Sequence, residues 1–192
     1  MITAKKWLLQ AVVFFLLTTG SFTACRNPSQ KQDSKDVADD KNNIKFDDKN
    51  EEQLAAFVVD AVANCYHELQ LAALMAQKSS HADIKEIAAA MAAGDSSLLE
   101  SLKAYATKNN ISIPANETKE AKEEYSQLAV VPGEQFDKKW IDLLMDKHKK
   151  TITRFETAAG QLPDEALRNL VQEALPSIRR HYDKLMQYHH KV

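Results

Sequence analysis

The chain has 192 residues, with 25 Lys and Arg against 27 Asp and Glu and a formal net charge of −2 at neutral pH. So even a balance argues against a surface built for nucleic acid or anionic lipid, since both call for a basic excess. Only four glycines and five prolines interrupt an alanine-rich sequence, a composition that favours helix over sheet, and the length suits one folded domain.

The chain opens with the three parts of a secretory signal. Lys5 and Lys6 supply the positive end, Trp7 to Leu17 is apolar except for Gln10, and small residues lead to Phe22-Thr23-Ala24-Cys25. An apolar run of about eleven residues is too short to cross a bilayer core of roughly 30 Å as a mature helix. The last four residues resemble the bacterial lipobox, with Phe22 where leucine is usual; an ordinary secretory signal that happens to contain a cysteine is the alternative. On the lipobox reading residues 1–24 are removed and Cys25 becomes the lipidated first residue. Two or three acyl chains, at about 0.8 kcal/mol per buried methylene, then hold the protein on a membrane. Cleavage takes two lysines and no acid, leaving 23 basic against 27 acidic side chains and a net charge of −4. The expected location is the cell envelope, by default the outer membrane facing the periplasm. The membrane and an envelope protein are the expected partners, with no nucleic acid. Cys65 would have no intrachain partner, and its place on an apolar stripe predicts a small buried hydrophobe.

Residues 25–50 are rich in Asn, Ser, Gln, Lys and Asp and show no apolar period, so they are expected to form a disordered polar tether. A helical domain over 51–192 follows. Helices are predicted over Glu51–Lys78, with Asp48 and Glu51 as a capping box, and over Ala82–Asn109, with Ser80 and Asp83 in the same relation. A short helix is predicted over Glu117–Val130, then long ones over Glu134–Ala159, stopped by Gly160, and from Pro163 to His189 with Pro176 as a kink. Tight turns make the first and last pairs antiparallel hairpins. About 24 residues, Asn110 to Gly133, join them and are long enough to cross end to end. The expected fold is therefore all-α, a ferritin-like four-helix bundle with a short extra helix in the crossing; a plain up-down bundle with a decorated loop is the alternative.

Alternating steps of four and three residues trace one buried seam per helix. Each seam carries one strongly polar residue near its middle: Glu68, Asp95, His148 and His181. Buried carboxylates must find one another, a water or an ion. Two imidazoles and two carboxylates suit a single Zn, Fe or Mn ion. A layer that only fixes helix register is the rival reading. Counted from the turns at 1.5 Å per residue, Glu68, Asp95 and His148 lie at roughly 18, 22 and 21 Å, and His181 at roughly 30 Å, a turn and a half out of level. A di-iron centre is excluded by its own requirement, because none of the six histidines has Glu three residues before it. His67 is expected at the surface. No phosphate loop, paired-cysteine metal motif or nucleophile elbow is present, so an enzyme, for example a metal-assisted hydrolase, ranks a distant third.

Three stretches resemble the exported bacterial domain-of-unknown-function family number 4142, which is regarded as ferritin-like. They are Phe57 to Ala76 with Asn64 and Glu68; Gly133-Glu-Gln-Phe-Asp137 with Trp140, Met145 and His148; and Leu175-Pro176 with His181. Met91 to Ala106 fits more loosely, and the family usually shows Asp-His where this chain has Gly94-Asp95. The resemblance implies the fold and an exported location and supplies no activity.

Overall fold

In the computed structural model, residues 32–190 are described. The expected signal, its expected cleavage site and Cys25 lie outside them. The described residues form six helices and no strand: α1 (Ser34–Lys45), α2 (Lys49–Lys78), α3 (Ala82–Lys108), α4 (Lys119–Ala129), α5 (Gly133–Gln161) and α6 (Glu165–His189). None is long and apolar enough to cross a membrane.

Side-chain caps define most helix starts. Asp48 accepts from the Asn50 and Glu51 amides, Thr118 from Ala121 and Asp164 from Leu167. The expected Ser80–Asp83 box does not form: the N-cap of α3 is His81, and its side chain caps nothing. Ser79 Oγ accepts the His81 amide instead, which fixes the turn one residue further on. At the other end of α3, Asn110 takes a left-handed φ of 55°. That turn lets the Ile111 amide reach the Ala106 carbonyl at 2.9 Å and the Asn110 amide reach Thr107 at 3.4 Å, a Schellman stop. Gly160 does not end α5, which runs on to Gln161. Pro176 lies inside α6 without ending it, and it has no N–H for the carbonyl one turn back.

The four long helices touch in a closed ring: α2 with α3, α3 with α6, α6 with α5, and α5 with α2. Their ends are fixed by specific contacts. Asp137, in the first turns of α5, accepts from Ser79 Oγ at 2.9 Å and lies 2.5 Å from His81 Nδ1, so α5 begins beside the α2–α3 turn. Trp140 is fully buried and donates from its indole N–H to the Leu71 carbonyl at 2.9 Å. The connection from α3 to α5 therefore travels from the far end to this one. It is pinned where it arrives by Lys78 Nζ, which donates to the Ala129 and Val131 carbonyls.

The stretch expected to be a tether through residue 50 is corrected by α1. This helix packs on α2, buries Ala38 and Asn42, and is latched to the connection. Asn42 donates from Nδ2 to the Ser112 carbonyl at 2.8 Å and accepts the Ser112 amide at 2.7 Å. Ser34 Oγ accepts the Ala115 amide at 2.7 Å, and Asp33 accepts the Lys119 amide. Each such bond contributes about 1 kcal/mol net, so polar contacts hold a helix that has little apolar surface to bury.

The core comes in two halves. One joins Val58, Val62, Leu102, Phe155 and Leu167; the other joins Leu71, Met75, Met91, Trp140 and Leu185. On each long helix the boundary falls at the polar seam residue. Glu68 lies between Cys65 and Leu71, Asp95 between Met91 and Leu99, His148 between Leu144 and Phe155, and His181 between Ile178 and Leu185.

Candidate functional site: a polar layer across the core

All four seam residues are buried: Glu68 is 3% exposed, Asp95 8%, His148 1% and His181 6%. They also meet. His148 Nδ1 lies 3.7 Å from Glu68 Oε2, and the His148 and His181 rings stand edge to face with centroids 5.9 Å apart. The expected offset of His181 is thereby corrected. With α5 running to Gln161, the hairpin turns at Pro163, and the two histidines lie 15 and 18 residues from it. The difference is about 4.5 Å along the axis, which two imidazole side chains span.

Each member is held differently. Asn64, one turn earlier on α2, donates to Glu68 Oε1 at 2.8 Å. His148 Nδ1 lies 3.1 Å from the Leu144 carbonyl one turn before it. His181 Nε2 has only Ser177 Oγ, at 3.4 Å. Asp95 Oδ2 is buried with no hydrogen-bond partner.

The electrostatics follow from burial and from the neighbours. Desolvation, then the facing Glu68 charge and a side-chain hydrogen bond with Glu68, raises the Asp95 carboxyl well above the ordinary range. Burial, with His148, Arg180 and Lys184 nearby, lowers His181 to about 4. Cys65 is a buried free thiol, as expected, and desolvation with the Asp95 and Glu68 charges pushes it well up. Among the described residues, no Lys or Arg forms an ion pair with Glu68 or Asp95; His148 is the cationic-capable neighbour Glu68 has. Three other acids of this region are matched: Asp60 by Lys35 and Arg154, Asp146 by Lys150, and Glu124 by Lys147.

Two clefts reach the layer. One, of about 370 Å³, opens between α2 and α5 beside α4 and is floored by Cys65, Glu68 and Asp95. The other, of about 320 Å³, lies between α3 and α6 and is lined by Gly94, Asp95, Ser177 and His181. Asp95, Leu98 and Ile178 line both, so the clefts converge on Asp95. Among the described residues, no group of three or more His, Cys, Asp and Glu side chains stands ready to hold a metal ion.

His67 corrects a sequence expectation. It is buried, not on the surface, with Nε2 3.0 Å from Glu124 Oε2 on α4 and both atoms lacking a well-directed hydrogen bond. The period of α2 turns it off the main seam; what covers it is the connection, whose landing place no local pattern encodes. Asn64 and Glu68, by contrast, carried a readable signal in their i, i+4 spacing. Burial and Lys147 lower His67 to about 4.

The model of the family described as "Domain of unknown function (DUF4142)" matches residues 41–188. Among curated proteins none matches. A solved structure with a similar fold is the crystal structure of a DUF305 fragment from Deinococcus radiodurans. It is 17% identical with a TM-score of 0.63, over 73% of this chain and 97% of that one. At that identity the likeness is one of fold alone.

The depressed histidines give a pH test. A histidine lowered in the folded state binds its proton more readily when unfolded, so its contribution to stability is present above pH 6.5 and is lost as pH falls toward 4. The raised Asp95 acts oppositely, favouring the fold at low pH and losing that contribution as pH rises. His67→Phe should therefore flatten the fall in unfolding free energy between pH 6.5 and 4, by up to about 3 kcal/mol across the window. Urea melts at several pH values check this; parallel curves for both proteins would refute the burial of a neutral His67.

Proposed function

We propose, for a chain that belongs to the DUF4142 family, the role of a lipid-anchored cell-envelope protein whose core binds one transition-metal ion among Glu68, Asp95, His148 and His181. The observation that carries this reading is the pair of buried carboxylates with no Lys or Arg beside them, one with an unpartnered oxygen. Burying carboxylate charge costs several kcal/mol unless a proton, a cation or hydrogen bonds compensate it. Here Asp60, Asp146 and Glu124, the ion-paired acids of the α2–α5 cleft, each have a fixed cation, and these two do not.

The surroundings suit an ion. Ligating histidines commonly donate their other ring N–H to a carbonyl, and His148 Nδ1 faces the Leu144 carbonyl in the tautomer that leaves Nε2 as a lone pair. Ligating carboxylates are themselves hydrogen-bonded, as Glu68 is by Asn64. Imidazole and carboxylate donors take Zn, Fe or Mn. A bound ion would cross-link four helices and supply Lewis acidity, while the missing Glu-x-x-His pairs argue against ferroxidase chemistry.

A ferritin-like arrangement of α2, α3, α5 and α6 is part of the proposal. The ring of contacts and an α3-to-α5 connection running from one end to the other support it. The anchor rests on the sequence of residues 5–25, and the default location on the outer membrane facing the periplasm rests on the anchor.

One observation favours a second reading, in which the layer only fixes register and the protein works by contact with an envelope partner. Glu68 and His148 already hold protein partners, and no three donors converge without movement. Metal content decides between the two. The full chain purified in detergent should carry about one ion, and at saturation near 100 Kd the ion adds about 2.7 kcal/mol. A chelator should then lower the melting temperature by about 5–10 °C. His148→Ala should lose the ion. No ion and no chelator effect after incubation with Zn, Fe or Mn would leave the second reading standing. For the anchor, Cys25→Ala should release the protein from membranes and abolish acyl labelling; unchanged fractionation would refute it.

A further inference from the structure

We infer that His181 is the mobile ligand of the layer, that Gly94 is the residue that makes room for it, and that a hydrated divalent cation arrives through the α3–α6 cleft. The inference rests on the cation site proposed above.

The two histidines differ in how they are fixed. His148 is 1% exposed and tied to its own helix at Nδ1. His181 has a single weak polar contact, 3.4 Å to Ser177 Oγ, and a cleft of about 320 Å³ beside it. Gly94 forms the opposite wall. It sits inside a 27-residue helix, where glycine weakens the helix relative to alanine, and its φ is not positive, so the backbone does not require it. What a side chain there would require is space already taken. An added Cβ would stand 3.0 Å from His181 Cε1, 3.5 Å from Ser177 Oγ and 3.7 Å from His181 Nε2. Gly94 keeps the sweep of the imidazole open.

An ion at the layer needs such a sweep, because no three donors stand together in the described side-chain positions. Of the two histidines, His181 has the weaker tether and the more adjacent space. The target of its rotation lies in the same cleft, where Asp95 lines the wall and its Oδ2, in a side chain 8% exposed, has no partner. The approach carries polar groups among its apolar walls: Ser97, Ser101 and Ser177 hydroxyls can replace hydration water along the way, and Glu173 adds a carboxylate. A donor set that adds imidazole to carboxylate selects borderline cations such as Zn²⁺ and Co²⁺ over Mg²⁺, which holds its water and prefers oxygen.

The experiment compares the full chain with its Gly94→Ala variant, titrating Zn²⁺ by calorimetry and following imidazole resonances by NMR. The metal-free variant should still fold with wild-type helix content, because the added Cβ meets side-chain atoms of His181 and Ser177 and no backbone, yet bind Zn²⁺ at least tenfold more weakly. In the wild type, the His181 ring signals should shift on Zn²⁺ addition. Equal Zn²⁺ affinity in the two proteins, or unmoved His181 signals in a wild type that binds, would overturn the mobile-ligand inference and leave the cation site intact. A wild type that takes up no Zn²⁺, Fe²⁺ or Mn²⁺ would overturn both.

Discussion

Four ionisable side chains, one from each long helix, are withdrawn from water at a single level of the core. Their need for partners governs the rest of the structure. An apolar seam alone tolerates sliding by a turn at modest cost, because leucine packs against leucine in either register. A polar layer does not, since a one-turn slip would bury Glu68 and Asp95 against hydrocarbon. The layer thus divides the apolar core into two halves and fixes all four helices against one another. The secondary elements serve the same end. The connection and α1 cover one cleft mouth, and α1 keeps its place by hydrogen bonds to backbone that apolar packing would not provide.

The same layer explains the charge pattern around it. Lys35, Arg154, Lys147 and Lys150 each meet an acid nearer the surface, and no fixed positive charge reaches the centre. Burial first, then the Glu68 charge, pushes Asp95 toward its protonated form, and burial with the charges of its neighbours pushes His181 toward its neutral form. Both shifts lower the charge stored in the core, and both leave lone pairs facing two water-accessible clefts. A neutral His181 beside closely spaced carboxyls is the setting on which the proposed cation site rests.

How much of this was legible in the sequence depends on which physics set each feature. The four seam residues were readable because helical periodicity is local and strict. Their common level was misjudged because it hinged on where α5 ends, and a single glycine at 160 proved too weak a signal to stop a helix otherwise well formed. The helix α1 was hidden by its composition: it buries only Ala38 and Asn42, so no apolar period announces it, although Asp33 as a cap and a run free of Gly and Pro were there to be read. His67 was misplaced because its cover, α4, comes from a segment some fifty residues away in sequence. Family membership and the fold likeness to the DUF305 fragment support the architecture. The chemistry rests on the side chains of the layer.

The claim that this layer is a cation site is tested most directly by anomalous diffraction from crystals of the chain grown with Zn²⁺, recorded at the zinc absorption edge. The account predicts one strong peak in the core, about 2.0–2.2 Å from an imidazole nitrogen of His148 and from carboxylate oxygens of Glu68 and Asp95, with the His181 ring turned toward it. A core without an anomalous peak at saturating zinc, and with the four side chains unmoved, would contradict it.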